Sequence, residues 1–398
     1  MRPAWDSVRR LWGIFRKTAR EMWRDWLVLS LSIAFAPLFV WAYYLFTLGG
    51  STTYNVLVIN LDQGALSAQG ERLEMGEGAI QAMLGVTYAN GQPMLKVIRL
   101  DDQGQALQKL RDRAAAAFVT LPADFSQIIL AMQAGDRSQS IPIAFGGDLT
   151  NPYYMTASIL ALSGLETYIQ QATGQQPLIQ YNEQPLGGSA ARTEFEFYVP
   201  GVLVFAIIML IFMASMAAAR EVEAGTLRRL RLTPMKSFEL LGGMSAVLIL
   251  VGVAAELLAL LTAVALGFRS QGPLWVAALV GAVTSLSVVG VGLIVACYSR
   301  TVTQAFLIAN FPLGLFMFFS GAIFPIPKVI LFSVAGHDFG LADILPPTHG
   351  VAALNKIFTL GAGFREVAFE LVMLIILSVI YFVVGAWLFQ RRQMSMHA

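Results

Sequence analysis

Charge is what this sequence has least of. Only 13% of its 398 residues are Asp, Glu, Lys or Arg, while 56% are hydrophobic. Soluble domains carry about a quarter charged residues, so the composition excludes an ordinary soluble chain and points to the bilayer. Cysteine is nearly absent. Cys297 stands alone in an apolar run, which excludes an internal disulfide and leaves the redox compartment open. No G-x-x-x-x-G-K-[ST] run occurs, so the chain has no phosphate cradle of its own. A cleavable signal is not expected either. The first apolar run, from Trp26, is too long for a signal h-region and lacks a clear A-x-A site after it, so it reads as a retained anchor. The net charge of +2 says little about partners, because the charges are unevenly placed.

What the sequence has is long apolar runs. Crossing the hydrocarbon core takes about 20 residues of helix. Trp26–Leu48, Tyr198–Ala218, Met244–Phe268, Leu274–Cys297, Val302–Phe324 and Val367–Phe389 qualify. The last three contain internal Gly or Pro, which membrane helices tolerate where neighbours satisfy the backbone. Lys and Arg concentrate before the first run, after the second (Arg220, Arg228, Arg229, Arg231, Lys236) and in the tail (Arg391, Arg392). By the positive-inside rule both termini are cytoplasmic and residues 49–197 face outward. The expected fold is therefore an α-helical integral membrane protein, six transmembrane helices plus a mixed α/β extracytoplasmic domain. Residues 1–25 form an interfacial element, 26–48 the first span, 49–197 the outer domain, and 198–398 a five-helix region.

Within the first segment, Val8, Leu11, Trp12, Phe15, Ala19, Met22, Trp23 and Trp26 recur at helical spacing, with basic residues on the remaining face. This is the pattern of a helix lying in the inner interface, cations toward anionic lipid. The alternative is a simple basic anchor ahead of a span.

About 150 residues suffice for a self-sufficient outer domain. Tyr54–Ile59, Met94–Leu100, Ala115–Leu121 and Ile141–Phe145 read as strands. Ala65–Leu84, Gln103–Arg113, Ala123–Ala134 and Pro152–Gln171 have helical periodicity. Alternation of the two predicts a mixed α/β domain. It has no His or Cys and no catalytic constellation. Asp62, Asp101, Asp102, Asp124 and Asp148 sit near turns and helix starts, where carboxylates cap free N–H groups. The alternative, a cation site, lacks metal-ligand spacing, so no metal is expected.

The stretch Ala219–Ser245, AREVEAGTLRRLRLTPMKSFELLGGMS, is polar and lies between two spans. Glu221 and Glu223 precede Gly225 and Thr226. A basic amphipathic run, Leu227–Leu232, then leads to Thr233 and Pro234. Acid before base along a short helix suits its dipole. The spacing predicts a surface helix within 220–236 that docks a partner. The plainer alternative is a loop that only fixes topology.

The run EVEAGTLRRLRLTP resembles the coupling-helix region of type-2 ABC exporter permeases, with Arg228 where that family often has an acid. Phe319-Ser320-Gly321-Ala322-Ile323-Phe324-Pro325 and Leu345-Pro346-Pro347-Thr348-His349-Gly350 resemble the family's outer segment after the fifth helix. Val56–Asp62, Leu121–Ser126 and Tyr198-Val199-Pro200-Gly201 resemble the subgroup with a large extracytoplasmic domain between the first two spans. The resemblance implies a multi-pass protein of the bacterial inner membrane that dimerises, with itself or a related permease. It binds separate cytoplasmic ATPase subunits and contacts them through Glu221, Glu223, Gly225, Thr226, Leu227, Arg228, Thr233 and Pro234. The chain itself would hold no cofactor and catalyse nothing, Mg-ATP lying on the partner. Membrane lipid and an envelope partner for the outer domain are further expected contacts. Nucleic acid is not.

Glu256, Gln304 and Asn310 are polar residues expected at membrane depth. For Glu256 a hydrogen bond between helices is the expectation, with proton or cation handling the alternative. Phe205, Met209, Phe212 and Met213 in the second span, with Phe311, Phe316 and Phe319 in the fifth, either line an apolar exit path or pack helices. His337, Asp338 and His349 are expected as exposed polar residues rather than a metal site. The leading function is export of a hydrophobic or amphipathic substrate (drug, lipid or natural product), driven by a partner's ATP. A membrane receptor or scaffold using the outer domain, and a cation exporter built on Glu256, are the alternatives.

Overall fold

The computed structural model describes residues 2–47, 51–67, 70–136, 138–174, 186–189, 192–227, 232, 235–324, 329–334 and 336–394. It divides into two compact units, Gly50–Pro185 and, around it in sequence, Met1–Gly49 with Leu186–Ala398. Helix α1 (Arg2–Arg24) and helix α2 (Trp26–Thr47) are separated by a turn at Asp25. Backbone bonds from Asp25 N to the Glu21 carbonyl and from Leu29 N to the Asp25 carbonyl keep the two nearly continuous.

The inserted unit starts with β1 (Tyr54–Asn60), followed by a small hairpin of β2 (Ala65–Leu66) and β3 (Arg72–Leu73). Then come α3 (Met75–Leu84), β4 (Leu95–Leu100), α4 (Gln103–Arg111), β5 (Ala117–Leu121), α5 (Phe125–Gln133), β6 (Ala144–Gly146) and α6 (Pro152–Thr173). The sheet order is β4-β1-β5-β6, with β1 parallel to both β4 and β5, and β6 antiparallel at the edge. Both faces of β1 are covered. Val56 and Val58 pack with Ile80, Phe125, Ile129 and Leu165, while Leu57 and Ile59 pack with Ala106 and Phe118. A strand buried on both sides reads as an unbroken apolar run, as Val56–Ile59 does.

Two expected elements are corrected here. The helix over Ala65–Leu84 begins only at Met75, because Gly64 and Gly70 take φ of +72° and +81° and the chain turns back through β2 and β3. The strand over Ile141–Phe145 pairs only from Ala144, and Pro142 has no N–H to give to a ladder.

The cap assignments divide. Asp102 accepts from Gln105 N at 3.2 Å and caps α4, and Asp148 closes the turn at Thr150. Asp124 makes no side-chain cap on α5. That work falls to Asp62, which follows β1. Its Oδ1 accepts from Ser126 N at 3.0 Å and Gly64 N at 3.2 Å. Its Oδ2 accepts from Gly76 N at 3.0 Å and the Ser126 hydroxyl at 2.5 Å, and Ser126 Oγ accepts from Met75 N at 2.9 Å. One carboxylate thus holds the N-termini of α3 and α5, which pack side by side on one face of the sheet. Helix N-termini attract anions. Here the anion is the chain's own.

Beyond the insertion, α7 (Glu194–Ile208) and α8 (Leu210–Glu223) make the second span. Met209 keeps right-handed helical backbone between them, so Glu194–Glu223 runs as one span of 30 residues. Thr193 and Glu196 form a capping box at its start, which groups Leu186–Phe197 with the helices rather than with the insertion. Then follow α9 (Ser237–Ala265), α10 (Leu274–Cys297), α11 (Val302–Phe319), the hairpin β7 (Ile330–Val334) and β8 (His337–Gly340), α12 (Pro346–Leu360) and α13 (Ala368–Phe389). Among the described residues six helices are long and apolar enough to cross a membrane.

Helix α10 forms the centre, and small residues let its neighbours close in. A Cβ on Gly290 would lie 3.0 Å from the Phe382 nitrogen of α13, and one on Gly292 would lie 3.0 Å from the Ile211 carbonyl of α8. Ser287 and Ser378 hydrogen-bond between α10 and α13. Gly201 has the closest approach to another backbone. A Cβ there would come within 2.0 Å of the Ala322 carbonyl oxygen, so Tyr198–Gly201 and Ser320–Ala322, far apart in sequence, are one contact.

The fifth span is shorter than expected. Helix α11 stops at Phe319, before Gly321 at φ +80°, rather than continuing to Phe324. His349 is also not an exposed loop residue. It lies buried in the first turn of α12, its Nε2 bonded to the Asp343 carbonyl at 3.0 Å. His337 stacks on Phe369 at 3.7 Å, and Asp338 accepts from the Ser333 hydroxyl.

The Asp62 clamp generates a test. Partial burial pushes the Asp62 carboxyl up, but the hydrogen bonds from Ser126, Gly76 and Gly64 outweigh it and hold the group below its ordinary value. Asp62→Ala strands four donors and is expected to cost about 2–3 kcal/mol. Hydrogen exchange on the full chain would then show amides at the starts of α3 and α5 losing protection by roughly 30- to 150-fold. A depressed folded-state value stabilises above the unfolded carboxylate range. In the unsubstituted chain the clamp should therefore hold at neutral pH and weaken only below about pH 4. Unchanged protection in the variant would mean Asp62 is not the clamp.

Candidate functional site

The basic end of the helical unit is organised by carboxylates in two places, the last turn of α8 and the first turn of α9. Leu11 and Ile14 seat α1 on α9, where Gly243 leaves room: a Cβ there would lie 2.8 Å from Ile14. Arg10 then reaches Glu239, donating to both carboxylate oxygens at 2.8 Å, and Glu239 also accepts from Lys236 N at 3.1 Å. Paired N–H donors on one carboxylate are among the stronger polar contacts available. Lys17 donates to Glu221 at 2.6 Å and lies 3.6 Å from Glu21, while Arg220 pairs with Asp25 at 2.9 Å. Glu223 turns the other way and accepts from Val302 N at 2.8 Å, capping α11 together with Thr301. The Glu-x-Glu pair therefore ties α8 to α1 on one side and to α11 on the other.

After Glu223 the chain breaks helix at Ala224 and Gly225, and Gly225 has φ +64°. Thr226 follows, and Leu227 is buried in the main core. Arg228, Thr233 and Pro234, with most of the expected surface helix, lie outside the described residues.

Above this end, α8 presents methionine. Met209, Met213 and Met216 recur at helical spacing and line a cavity of about 320 Å³ with Leu31, Phe35 and Phe306. Ser32, Ala206, Leu210, Phe212, Val251 and Ala255 complete its wall, and Phe212 stacks on Phe306 at 5.0 Å. Concave apolar sites of about this size suit small ligands. Unbranched, polarizable Met side chains adapt to varied shapes.

Residues 23–387 match the family model described as "ABC-2 family transporter protein". The chain belongs to the ABC-2 transporter family. It is also 25% identical to the "Probable multidrug ABC transporter permease YbhS" of two Escherichia coli strains, over 98% of each chain. This ABC-2 chain is thus a multi-pass membrane protein and a transporter permease subunit, a class that works with ATPase partner subunits.

Within the ABC-2 permease the expected path residues separate. Met209, Phe212 and Met213 line the cavity, while Phe205 packs behind them against Phe39 at 5.0 Å. In α11, Phe316 is buried, and Phe311 and Phe319 are exposed away from the cavity. Phe306, one turn into α11, is the residue of that helix that reaches it.

Of the intramembrane polar residues, Gln304 accepts from Arg300 N at 2.9 Å in the first turn of α11, which is an end position rather than mid-span. Asn310 donates back to the Phe306 carbonyl at 2.8 Å. Glu256 does not bridge two helices as expected. It is 1% exposed, packs where Gly281 has no side chain, and neither oxygen has a hydrogen-bond partner among the described residues.

Sequence reasoning missed Lys17, Asp25, Arg220 and Glu239, whose partners are distant in the chain. It also missed Phe35 and Phe306. Met216 was findable, since it extends the Met209 and Met213 spacing by one turn.

Lys17→Met would leave Glu221 buried without its cation. Because Lys17 is partly exposed, the expected loss is about 1–2 kcal/mol. Trypsin should then cut within α1 of the intact protein roughly 5- to 30-fold faster. The Lys17→Met/Glu221→Met pair should recover most of the protection, since removing both charges leaves nothing unpaired. Equal cleavage in single and double variants would show that the pair does not hold α1.

Proposed function

We propose that this chain is the membrane half of an ATP-driven exporter for hydrophobic or amphipathic molecules such as drugs, lipids or natural products. It works as a dimer, with itself or a related permease, and its basic end faces the cytoplasm. Separate ATPase subunits dock there on the segment around Gly225-Thr226-Leu227 and hold Mg-ATP. The observation that carries this reading is a shared helix. Helix α8 lines the apolar cavity with Met213 and Met216, following Met209 at its N-cap, and ends in Glu221 and Glu223, two residues before Gly225.

The geometry suggests a division of labour among the expected coupling residues. Glu221 and Glu223 already have partners within the chain, so they serve to transmit movement rather than to contact the ATPase. Arg228, Thr233 and Pro234 remain the proposed contact residues, by resemblance to the family. The multidrug wording of the Escherichia coli relative's name agrees with a Met-lined cavity that takes varied shapes. The inserted α/β unit is proposed to lie outside the membrane and handle release or an envelope partner.

Gly225 supplies the test. Among the described residues nothing lies within 4 Å of a Cβ built there, so the positive φ is what resists substitution. Gly225→Val, β-branched at φ +64°, is expected to be strained by about 1–2 kcal/mol. It should lower ATP-driven efflux of a lipophilic dye from proteoliposomes at least tenfold. Gly225→Asn should retain most of it, since Asn tolerates this region. Full dye movement with no ATPase present, or no ATPase association at all, would overturn the exporter reading.

A further inference from the structure

The Met-lined cavity has a neighbour that carries charge. Met213 and Met216 also line a second cavity of about 80 Å³, whose other walls include Glu21, Asp25, Arg220 and Glu221. The two cavities therefore share a wall on α8; Met22, Leu29, Ala217 and Met244 make the second largely apolar as well, and its charged residues are what set it apart.

Glu221 is the informative residue in the second cavity. It is only 8% exposed, and while Oε1 receives Lys17, Oε2 is buried with no hydrogen-bond partner among the described residues. A buried charged acceptor left without a partner costs about 1–3 kcal/mol, part of which a positive charge arriving in the cavity would offset. The local balance has the same sign. Three carboxylates, Glu21, Asp25 and Glu221, meet two cations, Lys17 and Arg220, in the pairs that line this mouth. One negative charge is left over. Next door, the rings of Phe35, Phe212 and Phe306 add faces that favour a cation in a desolvated setting.

We propose that the cargo is an amphipathic organic cation, its apolar body among Met209, Met213, Met216 and Phe306 and its charged head at Glu221 and Glu21. This rests on the permease reading above and names the substrate class for it. An anion of the same shape would meet the surplus negative charge. A neutral isostere would bring no counter-charge to the Glu221 carboxylate. Because Glu221 also holds Lys17 of α1 and stands four residues before Gly225, the head competes for the residue that anchors the coupling end. Loading of the cavity is thereby communicated to the segment where the ATPase docks.

Tetraphenylphosphonium and tetraphenylborate, nearly identical in shape and opposite in charge, separate the possibilities. Equilibrium dialysis of each probe against the purified full chain in detergent, corrected with empty micelles, gives affinities without any ATPase. The phosphonium should bind at least tenfold more tightly than the borate. Glu21→Gln, at a partly exposed position that does not threaten folding, should weaken phosphonium binding about three- to tenfold and narrow the preference. Borate binding as tightly as phosphonium, or phosphonium affinity unmoved by Glu21→Gln, would overturn the cation site. Transport is scored separately. Phosphonium binding with no ATP-driven movement in the presence of the ATPase would leave the site standing and sink the exporter reading. Movement of neutral dyes without cation preference would do the reverse.

Discussion

The attachment of α8 through Glu221 and Glu223 is the constraint around which the helical unit is arranged. The two side chains leave one helical turn in different directions, one to Lys17 and the other to the free N–H of Val302. A helix end normally leaves its last carbonyls to be satisfied and makes few side-chain attachments. This one is fastened to the helix before the first span and to the start of the fifth. The apolar packing of α10 against α8 and α13 supplies bulk stability, but it does not fasten α1 or the start of α11 to the end of α8. The carboxylates do.

The inserted unit uses the same device for a static purpose. Asp62 brings a negative charge to the N-termini of α3 and α5, and those donors are then fully occupied. Those helix N-termini are thereby closed to an external anion. In the helical unit, by contrast, one carboxylate oxygen of Glu221 is left without a donor beside a cavity. The two sites share a chemistry and differ in whether the acceptor is saturated.

The six spans and the insertion were legible because they depend on local pattern: apolar run length for the spans, and alternating strand and helix periodicity for the insertion. The errors fall where local pattern competes with backbone geometry. Ala65–Leu84 has helical periodicity throughout, yet positive φ at Gly64 and Gly70 turns its first half into a hairpin. The candidate site was legible only in part. Glu221, Glu223 and Gly225 stood out from a motif, and Met209 and Met213 only among the second-span residues that either line a path or pack helices. Their partners did not. Lys17 is 204 residues from Glu221 and Val302 is 79 from Glu223, and nothing in either neighbourhood announces the other. His349 shows the same limit from the other side, since a residue in a polar-looking turn was drawn into the core by the start of α12.

The position of Phe306 connects these facts to movement. It stands four residues after Val302 on α11 and faces the cavity, stacked on Phe212 of α8. Glu223 fixes the start of α11 to the end of α8, so a displacement of that end carries Val302 with it and tilts Phe306 against the cavity. Glu221 carries α1 and, through the near-continuous turn at Asp25, the start of α2, where Leu31 and Phe35 form the opposite wall. The same few residues thus hold both sides of the cavity. Under the proposed function, an ATPase pushing on the segment after Glu223 needs no separate relay to reach the cargo. The cavity walls are mounted on the residues it moves, and a rigid helix turn is sufficient to transmit the displacement.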